Sequence, residues 1–260
     1  MLHFIENIGD FFTANYFGDK FAESVLSKSG YSEEALQDFG KRLAALKERY
    51  YRYKNDYLDL ARPKDRIRRT HEWHTLLLEA LGYDDLRQPY ADLLLLEARE
   101  AVPVRHQLYL GEQPQLFVME MQSMIRSGDD APPGLFEQQY HRAQWNGLFN
   151  IPDGVTLTPS VINEAITRIF IRDRHERPRY ILLLGGSELY LLHDEKWPRG
   201  SYLRFSLEDL FTEAGRNRSL YALAWLLLSK EALAPQGEIV LLDLLDEDSH
   251  KSAYAVTKDL

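Results

Sequence analysis

The chain has 260 residues and no cysteine, with 31 Lys/Arg against 40 Asp/Glu for a formal charge of −9. Hydrophobic residues make up 45% and charged residues 27%, which excludes a mostly disordered chain, a collagen and a disulfide scaffold. Thiolate metal sites are excluded with the cysteines.

No window of about 18 uncharged apolar residues occurs, so a transmembrane helix is not expected. The N-terminus, MLHFIENIGDFF, lacks a basic region followed by a long apolar stretch, so it does not read as a secretion signal. The expectation is a cytoplasmic protein with no membrane partner. Charge is uneven along the chain. Residues 41–70 hold eleven Lys/Arg and four acids, a local +7 that leaves −16 elsewhere, and residues 231–250 hold six acids and no Lys or Arg. A basic patch can attract nucleic acid on an acidic protein, because fields are local at physiological salt. The alternative is a solvated face, or one paired with the acidic tail.

The N-terminal third reads as helical. Apolar residues at mixed three and four spacing predict a helix over 4–29, ended by Gly30. Ser32 is a cap candidate for the next helix, with Glu33 and Glu34 at its positive end. Leu36, Phe39, Leu43, Leu46, Tyr50, Tyr53, Tyr57 and Leu60 alternate steps of three and four, a heptad seam. It predicts one helix to about residue 60, about 43 Å long. Arg42, Lys47, Arg49 and Lys54 flank the seam and would repel a parallel copy, so the seam is expected to pack within the chain, for example on residues 11–26. The tyrosines read as core, with base stacking as the alternative. Pro63 suits the first turn of a helix ended by Gly82. On it, His71 and His74 are three apart, where a zinc-protease helix needs four, and read as surface or interface histidines.

From Tyr90 the pattern becomes α/β. Short apolar strands are predicted at 92–97, 102–110 and 116–122, the last two joined by Gly111-Glu112-Gln113-Pro114. A loop follows at 129–134. Helices are predicted at 135–149 and 159–170, the second with Ser160 near its cap. Strands at 179–184 and 187–193 flank Gly185-Gly186, a hairpin signal. Ser206-Leu207-Glu208-Asp209 resembles a capping box. A strongly apolar helix at 217–233 and a strand at 238–244 complete the pattern. No repeat of 20–50 residues is visible.

In Leu116-Phe117-Val118-Met119-Glu120-Met121-Gln122, alternation puts Glu120 and Gln122 on one side of a strand. The arrangement resembles nucleases of the PD-(D/E)XK type, in which an Asp on the preceding strand and the Asp/Glu of this strand hold Mg²⁺ and a Lys two residues on orients the water. The preceding WHTLLLEALGY (73–83), the Gln138-Gln139-Tyr140 segment and RYILLLGGSELYLL (179–192) are similar to the surroundings of that motif. Gln122 stands in place of the lysine and cannot carry a proton or charge. The region of Arg105 and His106 supplies no Asp, and Asp92 lies 28 positions upstream of Glu120.

A longer likeness spans roughly 73–260, most specifically 197–211 and 249–260. It resembles the N-terminal region of large type IIG-like restriction–modification adenine DNA methyltransferases, also found in phage-defence systems of the BREX and DISARM kind. No Gly-rich S-adenosylmethionine loop and no Asn-Pro-Pro-Tyr-like motif occurs, so S-adenosylmethionine is implied only for an absent C-terminal part.

The resulting expectation is an α/β (α+β) chain, with a helical arm at 1–62, a PD-(D/E)XK-like mixed sheet flanked by helices at 63–205 and a helix-rich extension at 206–260. Its function is expected to be DNA handling, nuclease-like but weak or inactive. Glu120, Gln122 and Asp92 are the candidate catalytic residues, with Glu120 the candidate ligand of Mg²⁺. Lys64, Arg66, Arg68 and Arg69 are the candidate phosphate contacts. The expected partners are DNA and the methylase portion or other defence-system subunits. The alternatives are an active Mg²⁺-dependent endonuclease, a protein-interaction scaffold for the methylase portion, or an unrelated sheet in which Glu120 is a hydrogen-bonded strand carboxylate.

Overall fold

The computed structural model describes residues 2–83, 92–97, 99–121, 134–140, 151–158, 160–215, 217–235, 237 and 239–258. In chain order the elements are β1 (Ile5–Ile8), α1 (Ala14–Asp19), α2 (Phe21–Lys28), α3 (Glu33–Ala44), α4 (Lys47–Asp59), α5 (Pro63–Ala80), β2 (Asp92–Glu97), β3 (Glu100–Val104), β4 (His106–Leu110) and β5 (Gln113–Glu120). They continue as β6 (Thr156–Leu157), α6 (Ile162–Phe170), β7 (Tyr180–Leu184), β8 (Glu188–His193), β9 (Tyr202–Ser206), α7 (Leu207–Glu213), α8 (Ser219–Leu228), α9 (Lys230–Leu233) and α10 (Leu241–Lys258).

The chain is mixed α/β, with helices against mixed sheets. The main sheet has the order β1-β9-β8-β7-β5-β4, in which β5 and β7 run parallel and the other neighbours antiparallel. A smaller sheet has the order β2-β3-β6. Strand side chains alternate between faces, and the core follows that parity. Leu116 and Val118 of β5, with Leu182 and Leu184 of β7, join the cluster formed with α1–α5 and α7–α10. Phe117, Met119, Ile181 and Leu183 join the opposite cluster, with Ile162, Ile166 and Ile169 of α6 and Val102 of β3. The first cluster takes residues from every expected segment, from Tyr50 and Leu77 to Leu184 and Leu228.

Local signals fix several boundaries. The Ser32 side chain accepts from the Ala35 amide at 3.3 Å and caps α3, and Ser206 caps α7 through the Asp209 amide at 3.2 Å. Pro63 opens α5. The hairpin between β7 and β8 turns over Gly185–Glu188, closed by the Gly185 amide on the Glu188 carbonyl at 2.8 Å.

Other expectations are corrected. The N-terminus begins with a strand rather than a helix. Residues 5–8 pair with β9, and a turn with positive φ at Gly9 (60°) and Asp10 (56°) separates them from α1. At Gly9 an added Cβ would stand 2.8 Å from the Gly200 carbonyl oxygen, so the close approach of this turn to the β9 end requires glycine. The single helix predicted to residue 60 divides into α3 and α4, because the two halves face different partners. Phe39 of α3 stacks on Trp225 of α8 at 3.7 Å, whereas Tyr53 of α4 stacks on Trp73 of α5 at 5.5 Å. The seam thus packs inside the chain, chiefly on α8 and α5 rather than on 11–26. The predicted 217–233 helix breaks at Ser229, which caps α9. The predicted strand over 102–110 is two strands in different sheets, meeting at Arg105.

The strand predicted at 238–244 is replaced by α10. Leu242, Leu245 and Ser249 are buried at helical spacing, and the acids between them bind cations elsewhere in the chain. Asp243 accepts from both terminal nitrogens of the Arg179 guanidinium, Asp246 pairs with Lys196, and Asp248 with Lys28 at 2.9 Å. Beside them His193 is pushed down to about 3 by burial and by the Arg179 and Lys196 charges. Among the described residues, the acidic C-terminal segment therefore pairs with these cations and not with the basic 41–70 stretch. Of the helix predicted at 135–149, a 3-10 turn at Leu135–Glu137 is described. Its remainder at 141–149, most of the 129–134 loop, and Gln122 lie outside the described residues. Among the described residues, no helix is long and apolar enough to cross a membrane.

Candidate functional site

Glu120 is the last residue of β5 and shares the parity of Leu116 and Val118, so it points toward the helical layer. There α5 crosses the sheet. His71 and His74, one turn apart, lie on the same helix face. His71 Nδ1 stands 2.7 Å from one Glu120 carboxylate oxygen and His74 Nδ1 stands 3.0 Å from the other. His74 Nε2 stands 3.0 Å from the Gly185 carbonyl oxygen in the β7–β8 turn. Both ring nitrogens of His74 therefore face oxygen atoms, one on β5 and one in the β7–β8 turn.

Arg105 supplies the remaining partner. It occupies the bend between β3 and β4, where its amide donates to the Val118 carbonyl at 2.8 Å. Its guanidinium donates to Glu120 and, at 2.7 Å, to the Thr75 hydroxyl, which donates in turn to the His71 carbonyl at 2.8 Å. Glu120 is 1% exposed and His74 fully buried. Burial pushes the Glu120 carboxyl up, but the charges of His71 and Arg105 and the hydrogen bonds from both histidines outweigh it. The carboxyl is held well below its ordinary range.

The candidate residues are thus separated in space or in use. Glu120 lies inside an ion cluster. Asp92 lies on β2, opposite Val104 in the smaller sheet rather than on a strand adjoining β5. Among the described residues, no group of three or more His, Asp or Glu is disposed to hold a metal ion. Around Glu120 the described side chains offer one carboxylate, two imidazoles and a guanidinium. Mg²⁺ takes an oxygen-rich octahedral set, and this group of side chains does not fit it.

The four cations proposed for phosphate contact differ in availability. Arg69 binds Asp56 at 2.5 Å and Glu72 at 3.0 Å. Arg66 donates to the Leu60 carbonyl at 2.6 Å and lies over the Tyr57 ring. Arg68 is exposed and makes long contacts of 3.8 Å to Asp65 and 3.9 Å to Glu72. Lys64 is exposed. Sequence reasoning missed the convergence of His71, His74 and Arg105 on Glu120. The available signal was two histidines flanking Trp73 on the apolar side of a helix, together with a carboxylate on the inward parity of a core strand.

No family model, curated protein or solved structure matches the chain.

Proposed function

We propose that the chain is a non-cutting DNA-handling module, derived from a nuclease-like α/β scaffold of the restriction–modification type. The observation that supports this reading is the state of Glu120. Both of its oxygens are taken by cationic or N–H donors of the same chain. On the resemblance, the strand region of Arg105 is where an acidic metal ligand would stand. A guanidinium there repels a metal ion and neutralises the carboxylate that would bind it. Glu120 then ties α5 to the sheet, and Mg²⁺ chemistry is not its task. DNA would be met through phosphates by the exposed cations of α5, Lys64 and Arg68. Methyl transfer would belong to a separate methylase portion carrying S-adenosylmethionine.

A second reading, a scaffold that docks a protein partner, is favoured by one observation. Arg66 and Arg69 are engaged within the chain, which leaves fewer cations for phosphates. Binding of a labelled duplex at 50 and 200 mM salt, with a parallel incubation in Mg²⁺ or Mn²⁺, separates the readings. The DNA-handling reading expects affinity to fall on the order of tenfold to a hundredfold between the two salts, as release of a few counterions requires, with the duplex left intact. Absence of binding at the lower salt leaves the scaffold. Strand cleavage abolished by Glu120→Gln restores the active nuclease.

A further inference from the structure

A cleft of about 350 Å³ lies between the main sheet and α10. It sits at the opposite end of β7 from Glu120, since Glu120 pairs with Leu184 and the cleft residue His193 with Tyr180. The volume is at the small end of the range for pockets that take small molecules. His193, the last residue of β8, is 7% exposed and lines the cleft from within.

The His193 ring holds one hydrogen-bond donor that the chain does not use. The Glu195 amide donates to its Nδ1 at 3.1 Å and to Asp194 Oδ1 at 2.9 Å. With Nδ1 accepting, the neutral ring carries its hydrogen on Nε2. Burial and the Arg179 and Lys196 charges keep the ring neutral. Nε2 has no partner among the described residues. Unlike the Tyr16 and Tyr50 hydroxyls it is not sealed inside the protein, because the ring lines the cleft.

The two cations beside it also keep donors in reserve. A guanidinium has five N–H groups and an ammonium three. Arg179 gives two to Asp243, and Lys196 gives two, to the Phe11 carbonyl at 2.6 Å and to Asp246. The inner cleft therefore has an excess of donors, and its cations are already balanced by the two aspartates. Exposed residues of the cleft have the opposite excess. The Glu195 carboxylate has no cation partner among the described residues, and Glu247 meets Lys251 at a loose 3.6 Å. A dianionic phosphate would meet the repulsion of these two acids, and a simple amine would leave the His193 N–H without an acceptor. A group that accepts inside and is positive outside satisfies both ends.

We propose that this cleft binds a small zwitterion of the amino-acid class. Its carboxylate accepts from His193 Nε2 and from the spare donors of Arg179 and Lys196, and its ammonium faces Glu195 and Glu247. The site is independent of the DNA-handling reading.

The test uses the full chain with its eight histidines labelled with ¹⁵N, the His193 signals being assigned through His193→Gln. Glycine and 4-aminobutyrate are titrated, each beside the two molecules that lack one of its charges: acetate and methylamine, butyrate and butylamine. At least one zwitterion is expected to move the His193 Nε2 signal and to bind about tenfold or more tightly than both of its counterparts, as added charge-assisted contacts require. Glu195→Gln with Glu247→Gln alters exposed side chains only. It is expected to weaken zwitterion binding by about threefold or more, in keeping with exposed ion pairs, without weakening that of the carboxylates. A His193 signal that stays in place with both zwitterions overturns the site. A carboxylate or an amine that binds as tightly as its zwitterion, or equal zwitterion affinity in the double variant, overturns the assignment of the ligand.

Discussion

Arg105 pairs with Glu120 from the bend at which β3 leaves the smaller sheet and β4 enters the main one. One guanidinium therefore marks the junction of the two sheets and neutralises the acid buried beneath α5. The pair is almost fully removed from water, with side-chain exposures of 5% and 1%. Its loss on one side leaves the other charge stranded.

Glu120→Gln keeps the shape and removes the charge. It is expected to destabilise the fold by about 3–5 kcal/mol, the usual cost of breaking a buried ion pair from one side. Adding Arg105→Gln is expected to cost less than the two single changes summed, because the residues are in contact. Urea denaturation of the four proteins measures both effects, and simple additivity would remove the coupling.

The pH dependence has a definite sign. The folded-state pKa of Glu120 is depressed, because the His71 and Arg105 charges and the histidine hydrogen bonds overcome burial. The group therefore contributes stability that is fully present above its unfolded value of about 4.3 and is lost as pH falls through the folded value. Wild-type stability is expected to decline in acid more steeply than that of the Arg105→Gln/Glu120→Gln protein. Parallel declines in urea melts between pH 6 and the acid limit would contradict it.

Gly185 places its carbonyl on His74 and its Cα against Leu135. An added Cβ would lie 2.7 Å from a Leu135 methyl and 3.0 Å from the Glu188 carbonyl oxygen. The leucine can rotate away, but the backbone oxygen cannot. Gly185→Ala is expected to cost about 1–3 kcal/mol by overpacking, and a thermal melt reads it directly.

Ser249 on α10 is 1% exposed and accepts from the Thr13 amide at 2.8 Å. Ser249→Val removes the acceptor and leaves a donor unpaired at the start of α1. A loss of about 1–3 kcal/mol is expected, with faster amide hydrogen exchange in α1 and α10. Unchanged exchange there would show that the ion pairs of α10 suffice to hold it.

Features set by neighbouring residues were legible in the chain. Ser32 and Ser206 cap their helices, Pro63 opens α5, and the parity of β5 turns Glu120 to the side of Leu116 and Val118. The run at 239–245 was not legible, because a short apolar stretch fits strand and helix equally. Cations at Arg179 and Lys196 select the helix, and they come from the residue before β7 and from the β8–β9 connection. The single long helix over 32–60 failed for a similar reason. Its seam was real, but two partners at different orientations divided it.

The sequence by itself determined element type where capping, turns and side-chain alternation act over a few residues, and it marked Glu120 as an inward-facing acid. Only the tertiary structure decided what that acid meets. His71, His74 and Arg105 lie 15 to 49 positions from Glu120, and the crossing of α5 over the sheet and the bend at Arg105 bring them together. Electrostatic partnership depends on distance in space, and helix packing and sheet order set that distance.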